Sequence, residues 1–455
     1  MMRVFEFLVA LVIVAVIGVV AGVVMPSSGH VERSQVVGKD MRQVYDLLNN
    51  FRRFPDYSVL RSQDSGVQFK FSGKAYGPGA EISWTSTDAK LGDGGLTIAS
   101  ATPQFDQIDS NTQEASIIWN LDNNWRGLDK HFTLDLERQG HGRLTQITWS
   151  YDVQYGWNLI NRFANLYIHG DPDSFIQFSL NNLQNVLAGV ANVDYSGLMP
   201  KIAQSQPTPV LFVTRHIDRS KGGSDVLDDI LAQSDIELRA QAKKLGVNVT
   251  GPAILFITNY GDPDFDFNVA LPIDSSTLTI NGQSEQLTAP IAPSLDATAA
   301  AEPAPSASAA AAAAAAATAG SRDRFGNLVV EGDVRGMMAF GGATLQGIWE
   351  GTFNGVPQTV KMLTAYAQTH GYKFDSTVNP PYDIVVAAEV RDSTGAITSY
   401  ARHQVSLPLL DAPAQTPEQE AGLLPPEQNG APAAAGSAPA PAASSAPAAA
   451  ATAAE

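Results

Sequence analysis

The chain has 455 residues, enough for two or three domains, and carries 46 acidic against 29 basic residues for a formal net charge of −17. Without a concentrated basic run, this charge argues against nucleic acid as a partner. The absence of cysteine excludes disulfides, thiolate catalysis, cysteine zinc sites and lipid attachment to an N-terminal cysteine.

The N-terminus is apolar enough to cross a membrane. Residues 7–25 are 19 uncharged, apolar residues, and a helix of that length spans about 28 Å, close to the thickness of a bilayer core. The run exceeds the apolar core of a typical signal peptide and lacks a clear small-x-small cleavage site, which favours an uncleaved anchor over residues 1–28. We expect a single-pass protein of the bacterial inner membrane with periplasmic domains, although basic residues on both sides of the span leave the orientation open.

A strand, a short helix and a series of strands follow the anchor. "HVERSQVV" alternates apolar and polar residues, and "DMRQVYDLLNNF" has helical spacing behind Asp40, a candidate N-cap. Six further strand patterns are bounded by Gly, Asn and Asp turns, and "NLINRFANLYI" and "FIQFSLNNLQNVLAGV" have helical spacing. The order predicts an α+β fold in which an antiparallel sheet packs under a long helix.

Most of the tryptophans lie in this region. Five of the six are Trp84, Trp119, Trp125, Trp149 and Trp157. They either fill the core between sheet and helix or line a hollow that binds an apolar ligand.

Residues 30–192 resemble the SRPBCC superfamily of helix-grip proteins, which includes polyketide cyclase-like and START-like domains. The resemblance is carried by "VYDLLNNFRRFPDYS" after the first strand, by "GPGAEISWTS" and by "NNLQNVLAGV" at the end of the closing helix. It implies a deep hydrophobic cavity under the C-terminal helix.

A strand-helix-strand-strand module occurs twice after residue 200. The first copy comprises "VLFVTRHI", a helix over 225–246, "PAILFITNY" and "FDFNVALPI". The second comprises "ATLQGIWEG", a helix over 356–371, "PYDIVVAAEV" and "RHQVSLPLL". The repeat predicts one duplicated domain over residues 205–410.

This duplicated region resembles the GyrI-like domain, also called the bacterial transcription activator effector-binding domain. The carriers are "GPAILFITNY" with "DFDFNVALPI", and "GGATLQGIWEGTFNGV" with "PPYDIVVAAEV". The resemblance implies that the modules pair about a pseudo-twofold axis around a groove that binds small, often cationic and apolar molecules. It also implies that an acidic residue after a tyrosine contacts the charge of the ligand, and that position is Asp383, where the family more often has Glu.

The candidate ligand-binding residues are therefore an acid and its aromatic surroundings. They are Asp383, Tyr382, Trp349, Glu350 and Phe267. A partly buried carboxylate beside aromatic rings holds an organic cation by Coulomb attraction and ring contact. The alternative is that Asp383 only begins an exposed strand after "NPPY".

An Ala/Pro-rich stretch separates the two modules. Residues 274–327 include nine consecutive alanines and are expected to be a mostly disordered insertion. Because the modules need each other, we interpret it as an interruption of one domain; lengthening a connection to about 60 residues costs only roughly 2 kcal/mol of loop closure. The Ala/Pro-rich tail, residues 411–455, is also expected to be disordered.

Common catalytic and metal-binding patterns are missing from the sequence. The seven histidines do not have zinc-site spacing, and Asp262, Asp264 and Asp266 lack the Gly and Glu of an EF-hand, which favours a turn into a strand. Nucleophile-elbow, Walker, dinucleotide and helix-turn-helix patterns do not occur either. We expect no catalytic residue, no metal and no cofactor.

These observations predict a membrane-anchored, non-enzymatic protein that sequesters, senses or presents a small hydrophobic or cationic molecule. One alternative is a hydrolase or cyclase that acts on a small hydrophobic substrate, with Asp383 or Glu350 as its base. Another is a scaffold whose cavities bind nothing.

Overall fold

The computed structural model describes residues 2–104, 107–198, 200–218, 224–261, 264–292 and 318–411. Residues 293–317, which contain the alanine tract, and the tail from residue 412 lie outside the described residues, as does Asp262. The chain has a mixed α/β structure with two large antiparallel sheets, preceded by an apolar helix.

The N-terminal helix α1, Met2–Val24, is the one described helix with the length and composition of a membrane span. Its apolar stretch, Val4–Val24, has a mean hydropathy of 3.2 and is 6% buried. Its side chains thus project away from the rest of the protein over almost all of its length.

The first sheet contains seven strands and is covered by short helices and one long helix. The strands are β1 (Ser28–Val37), β2 (Gln68–Gly73), β3 (Ala80–Thr85), β4 (Gly94–Thr102), β5 (Glu114–Asn123), β6 (Leu128–Gln139) and β7 (Leu144–Gln154). The helices are α2 (Met41–Leu48), α3 (Phe54–Tyr57), α4 (Leu60–Gln63), α5 (Leu159–Arg162) and α6 (Asp171–Ala188). The sheet order is β1-β7-β6-β5-β4-β3-β2, and the side chain of Asp40 accepts a hydrogen bond from the backbone of Arg42, as expected of an N-cap.

The tryptophans of this sheet divide between core and surface. Trp84, Trp119 and Trp149 are buried in an aromatic core, where the rings of Trp119 and Trp149 lie 5.4 Å apart at 83°. Trp125 is partly buried, whereas Trp157 is 86% exposed. Three of the five therefore fill the core.

The segment after β7 differs from the expected continuous helix. It forms only the single turn α5, followed by a 3-10 turn, Phe163–Tyr167. Arg162 donates from Nε to the carbonyl of Gly156 at 2.8 Å, and a Cβ placed on Gly29 would lie 3.1 Å from Ile168. These contacts bend the segment around the junction of α1 and β1, which sequence periodicity does not reveal.

The second sheet contains nine strands and holds both copies of the repeated module. The first copy comprises β9 (Thr208–Asp218), α7 (Ser224–Leu245), β10 (Ile254–Tyr260) and β11 (Asp264–Pro272), and the second comprises β16 (Gly342–Glu350), α8 (Val356–Thr369), β17 (Tyr382–Ala387) and β20 (Arg402–Pro408). In the sheet these strands have the order β9-β11-β10-β17-β20-β16. Counted inward from either end, each copy contributes its first, then its third, then its second strand. The two copies thus join through the antiparallel pair β10 and β17, and their helices pack on the strands of their own copy.

Additional strands extend this sheet or flank it. They are β8 (Lys201–Ser205), β12 (Thr277–Ile280), β13 (Gln283–Gln286), β14 (Leu328–Glu331), β15 (Val334–Ala339), β18 (Val390–Arg391) and β19 (Ile397–Ser399). The expectation of a mostly disordered insertion is wrong at its described ends, because β12 and β13 form a hairpin that buries Leu278, Ile280 and Leu287. The segment "TLTI" forms a strand because its apolar residues alternate with polar ones, even though the flanking residues are low in hydrophobicity.

The two sheets are connected by a buried polar cluster. Asp46 on α2 accepts hydrogen bonds from Arg42 Nε at 2.9 Å, Tyr76 Oη at 2.5 Å and Tyr195 Oη at 3.0 Å. The Tyr195 hydroxyl also lies 2.9 Å from Oγ1 of Thr369, the last residue of α8. The C-terminal end of α8 is therefore held against α2.

Candidate functional site

A cavity of about 380 Å³ lies over the junction of the two repeated modules. Its wall is formed by α7, by β10, β11 and β17, by the start of β20 and by the turn before α8. Its apolar lining residues are Leu227, Leu231, Ala253, Ile254, Leu255, Val269, Phe353, Val385 and Ala401. The site is thus built from both modules.

Asp383 provides a buried carboxylate to this cavity. Antiparallel pairing places it opposite Leu255 on β10 and Val405 on β20, on the face that carries α7 and α8. The residue is only 2% exposed. Its position after Pro380 and Pro381 sets it at the start of β17, where its side chain still reaches the cavity.

The carboxylate of Asp383 is only half satisfied. Its Oδ2 lies 2.7 Å from Nδ1 of His403, the geometry of a hydrogen bond. Its Oδ1 is buried and has no hydrogen-bond partner among the described residues. Burial raises the pKa of Asp383 because it penalises the charged form, while the hydrogen bond from His403 and, to a lesser extent, the nearby backbone N–H of Ile384 oppose this effect.

Further charged residues line the cavity beside this pair. Arg391 donates from Nε to Oε1 of Glu389 at 2.6 Å, so these two charges balance each other. Asp228 on α7 also lines the cavity. Excluding histidine, the lining residues contain three carboxylates and one guanidinium, which favours a cationic over an anionic ligand.

Two of the expected aromatic residues do not line this cavity. Tyr382 precedes Asp383 in the strand and lies on the opposite face of the sheet, where it packs 5.7 Å from the ring of Phe256. Trp349 pairs with His403 across the strands, but its Nε1 donates to the carbonyl of Thr352 at 2.8 Å. Trp349 thus supports the turn that carries Phe353 and is not itself part of the wall.

The other two expected residues lie outside the cavity as well. Glu350 is exposed and forms an ion pair with Arg402 at 2.9 Å. Phe267 is fully buried and stacks on Phe265 at 4.6 Å, and Phe265 in turn lies 5.8 Å from Phe353. Of the five candidates, only Asp383 contributes directly to the wall.

The most important residue that sequence reasoning missed is His403. It lies on a strand that the sequence predicts, two positions from the residue paired with Asp383. Because side chains two residues apart share a face of a strand, alternation together with the pairing of the last two strands would have identified it. Phe353, which belongs to the quoted segment "GGATLQGIWEGTFNGV", also lines the cavity.

A second cavity of about 420 Å³ lies at the first sheet. Its apolar lining residues are Leu60, Trp84, Leu91, Leu121, Trp125, Phe132 and Phe175. Asp171 and Phe175 belong to the N-terminal turns of α6, so this hollow reaches the start of the long helix. An apolar hollow therefore coexists with the tryptophan-filled core.

Metal binding has no support from the part of the chain that the structure describes. No group of three or more His, Cys, Asp and Glu side chains suitable for a metal occurs there. Asp264 begins β11, as the turn interpretation expects.

Comparisons with known proteins give weak similarities. No family model and no curated protein matches the sequence. Among solved structures, an EcmrR–DNA complex matches with a TM-score of 0.30 at 10% identity over 56% of this chain and 72% of that chain. The EcmrR C-terminal domain matches with a TM-score of 0.27 at 8% identity over 47% and 99%.

Norcoclaurine synthase from Thalictrum flavum, in complex with dopamine and hydroxybenzaldehyde, matches with a TM-score of 0.26 at 10% identity over 37% of this chain and 92% of that chain. Similarities at these TM-scores carry no argument about function.

Proposed function

We propose that this chain is a membrane-anchored protein that binds small organic cations with apolar groups in the cavity around Asp383. The observation that carries the proposal is the buried, unpartnered Oδ1 of Asp383 at a largely apolar wall. A buried polar atom without a partner costs free energy, which a ligand that donates a hydrogen bond or brings a positive charge would recover.

The surroundings of Asp383 support a cation of mixed character. The ring of Phe353 lies 6.3 Å from that of His403 and presents an aromatic group to the same space. Leu227 and Leu231 of α7 would cover the apolar part of the ligand. Coulomb attraction would thus fix the charged group, while burial of apolar surface would supply most of the remaining affinity.

Contacts at the end of α1 support its role as a retained anchor. Arg162 donates from Nη1 to the carbonyls of Val23 at 3.1 Å and Met25 at 3.3 Å. A Cβ placed on Gly22 would lie 3.1 Å from Cβ of Leu159. Removal of α1 as a signal peptide would break these contacts, which favours an uncleaved helix. We propose that this helix lies in the bacterial inner membrane with the two sheets in the periplasm.

Calorimetry on the full chain in phospholipid nanodiscs tests the binding function. The ligand probe is benzyltrimethylammonium, and benzylsulfonate serves as the anionic counterpart. We expect binding of the cation only, weakened about 10- to 100-fold in Asp383→Asn because the Coulomb attraction between the carboxylate and the ammonium charge is lost. Glu350→Gln, which removes an exposed carboxylate, is the matched control and should leave binding unchanged. Equal binding by wild type and Asp383→Asn would refute the proposal.

The Asp383–His403 pair also favours a second candidate, a hydrolase or cyclase of small hydrophobic substrates. An ionised Asp383 would hold the Nδ1 proton of His403 and leave Nε2 free to accept a proton from water or substrate. In this candidate His403, oriented by Asp383, is the base, and exposed Glu350 has no part. Turnover of a bound electrophilic ester by wild type, lost in His403→Gln with binding retained, would support catalysis over binding alone.

A further inference from the structure

Four large apolar side chains are exposed within one short segment after β7. Their exposed fractions are 86% for Trp157, 69% for Ile160, 65% for Leu166 and 74% for Tyr167. Single exposed apolar residues are ordinary, but a cluster of this kind marks a surface that meets a lipid or protein partner. Arg162 is the one charged residue between positions 156 and 168.

This segment contacts the C-terminal end of α1. Leu159 and Phe163 approach Gly22, since a Cβ at that glycine would lie 3.1 Å from the first and 3.3 Å from the second. Arg162 is itself buried and donates to the backbone carbonyls of Val23 and Met25. The exposed cluster is therefore fixed beside the last turn of the apolar helix, where a membrane-spanning α1 would leave the bilayer core.

The chemistry of the cluster matches the boundary between lipid tails and headgroups. Tryptophan and tyrosine concentrate at this boundary, because each has a large apolar ring and one polar group. The guanidinium of Arg162 lies 5.3 Å from the ring centre of Trp157, so the one cation in the segment is paired with an aromatic ring and with carbonyls. No acidic side chain between residues 156 and 168 would repel anionic headgroups.

We infer that Trp157, Ile160, Leu166 and Tyr167 form a membrane-docking patch that inserts into the lipid interface and lays the first sheet on the bilayer. The inference rests on the proposed anchoring by α1 and adds a second, fixed contact to it. Because α6 begins at Asp171, shortly after Tyr167, the Asp171 end of the first-sheet cavity would lie close to the membrane surface.

Site-directed spin labelling of the full chain in liposomes of phosphatidylcholine and phosphatidylglycerol tests the inference. The absence of native cysteine makes every introduced cysteine a unique label site. Ile160→Cys reports on the patch, and Ile236→Cys is the matched control, since both isoleucines are 69% exposed. Val14→Cys reports on the middle of α1. Accessibility to oxygen, which partitions into lipid, is compared with accessibility to a water-soluble nickel chelate.

We expect the label at position 160 to favour oxygen several-fold over the nickel chelate, as at position 14, and the label at 236 to show the reverse. A lipid-exposed label at 14 with a water-exposed label at 160 would overturn docking and leave the anchor intact. A water-exposed label at 14 would overturn both. Protection of position 160 from both reagents would show coverage by protein, such as a second copy of the chain, and would equally overturn docking.

Discussion

The imidazole of His403 lies 2.7 Å from the carboxylate of Asp383, and both side chains are almost completely buried. The contact joins two neighbouring strands, β17 and β20, of the second module. It satisfies one carboxylate oxygen and leaves the other without a partner among the described residues. Asp383 is thus held in place through one carboxylate oxygen, and the other oxygen is left to hydrogen-bond with a ligand.

The affinity for benzyltrimethylammonium should depend on pH through Asp383. Burial raises the pKa of this carboxyl, and only the ionised form attracts a cation. Affinity should therefore rise with pH, by up to about tenfold per unit, until the pH exceeds the raised pKa, and then level off. Calorimetry from about pH 4 to about pH 8 measures this. The residual affinity of Asp383→Asn should stay flat, and a flat wild-type profile would contradict the assignment.

Acid should destabilise the junction between the sheets through His370. Burial lowers the pKa of this histidine to about 4, from an ordinary value of 6.5. Between pH 6.5 and about pH 4 the unfolded chain binds a proton at this histidine, whereas the folded chain does not. The free energy of unfolding should therefore fall by about 3 kcal/mol as the pH drops through this range. His370→Phe keeps a ring between Tyr366 and Tyr76 and removes the titration. The difference in the free energy of unfolding between the two proteins should become independent of pH above about pH 7; parallel profiles throughout would disprove the assignment.

Removal of the charge of Asp46 should strongly destabilise the protein. In Asp46→Asn the guanidinium of Arg42, 8% exposed, would lose its carboxylate partner. Removal of one partner from a buried ion pair lowers the free energy of unfolding by about 3–5 kcal/mol. Asp235→Asn is the matched control: it also breaks an i,i+4 pair with arginine, but this pair is exposed and its loss should cost below about 1 kcal/mol. Equal urea midpoints for the two variants would show that the buried cluster does not stabilise the junction.

The hairpin within the insertion should contribute to the core of the second sheet. Leu278 is 1% exposed, and truncation of a fully buried leucine to alanine typically costs about 2–5 kcal/mol. Leu278→Ala should therefore lower the thermal midpoint by several degrees. Ile291→Ala, at a residue that is 59% exposed, should leave the midpoint nearly unchanged. Similar small effects for both variants would indicate that the hairpin is dispensable.

Local patterns predicted the elements well where the chain pairs with its immediate neighbours. The helix behind Asp40 and both copies of the repeated module occur where periodicity indicates them. Alternation along β17 also implies that Tyr382 and Asp383 face opposite sides of the sheet. The prediction that both residues belong to one site did not take this into account. The helical pattern that begins at Asn158 is interrupted after Arg162. Local periodicity does not predict this interruption, because the contacts around Arg162 come from α1 and from Gly156.

The amino-acid sequence alone establishes the apolar N-terminal helix, the alternating strands, the internal duplication and the presence of an acid at the start of the second strand of the second module. Each of these depends on residue type and spacing within one element, where side-chain periodicity is a direct result of backbone geometry. The packing of strands and helices establishes which face of that strand is covered by helices, that His403 lies within hydrogen-bond distance of Asp383, and that Glu350 lies at the surface. Those outcomes depend on strand register and on packing between elements distant in the chain, which no local pattern encodes.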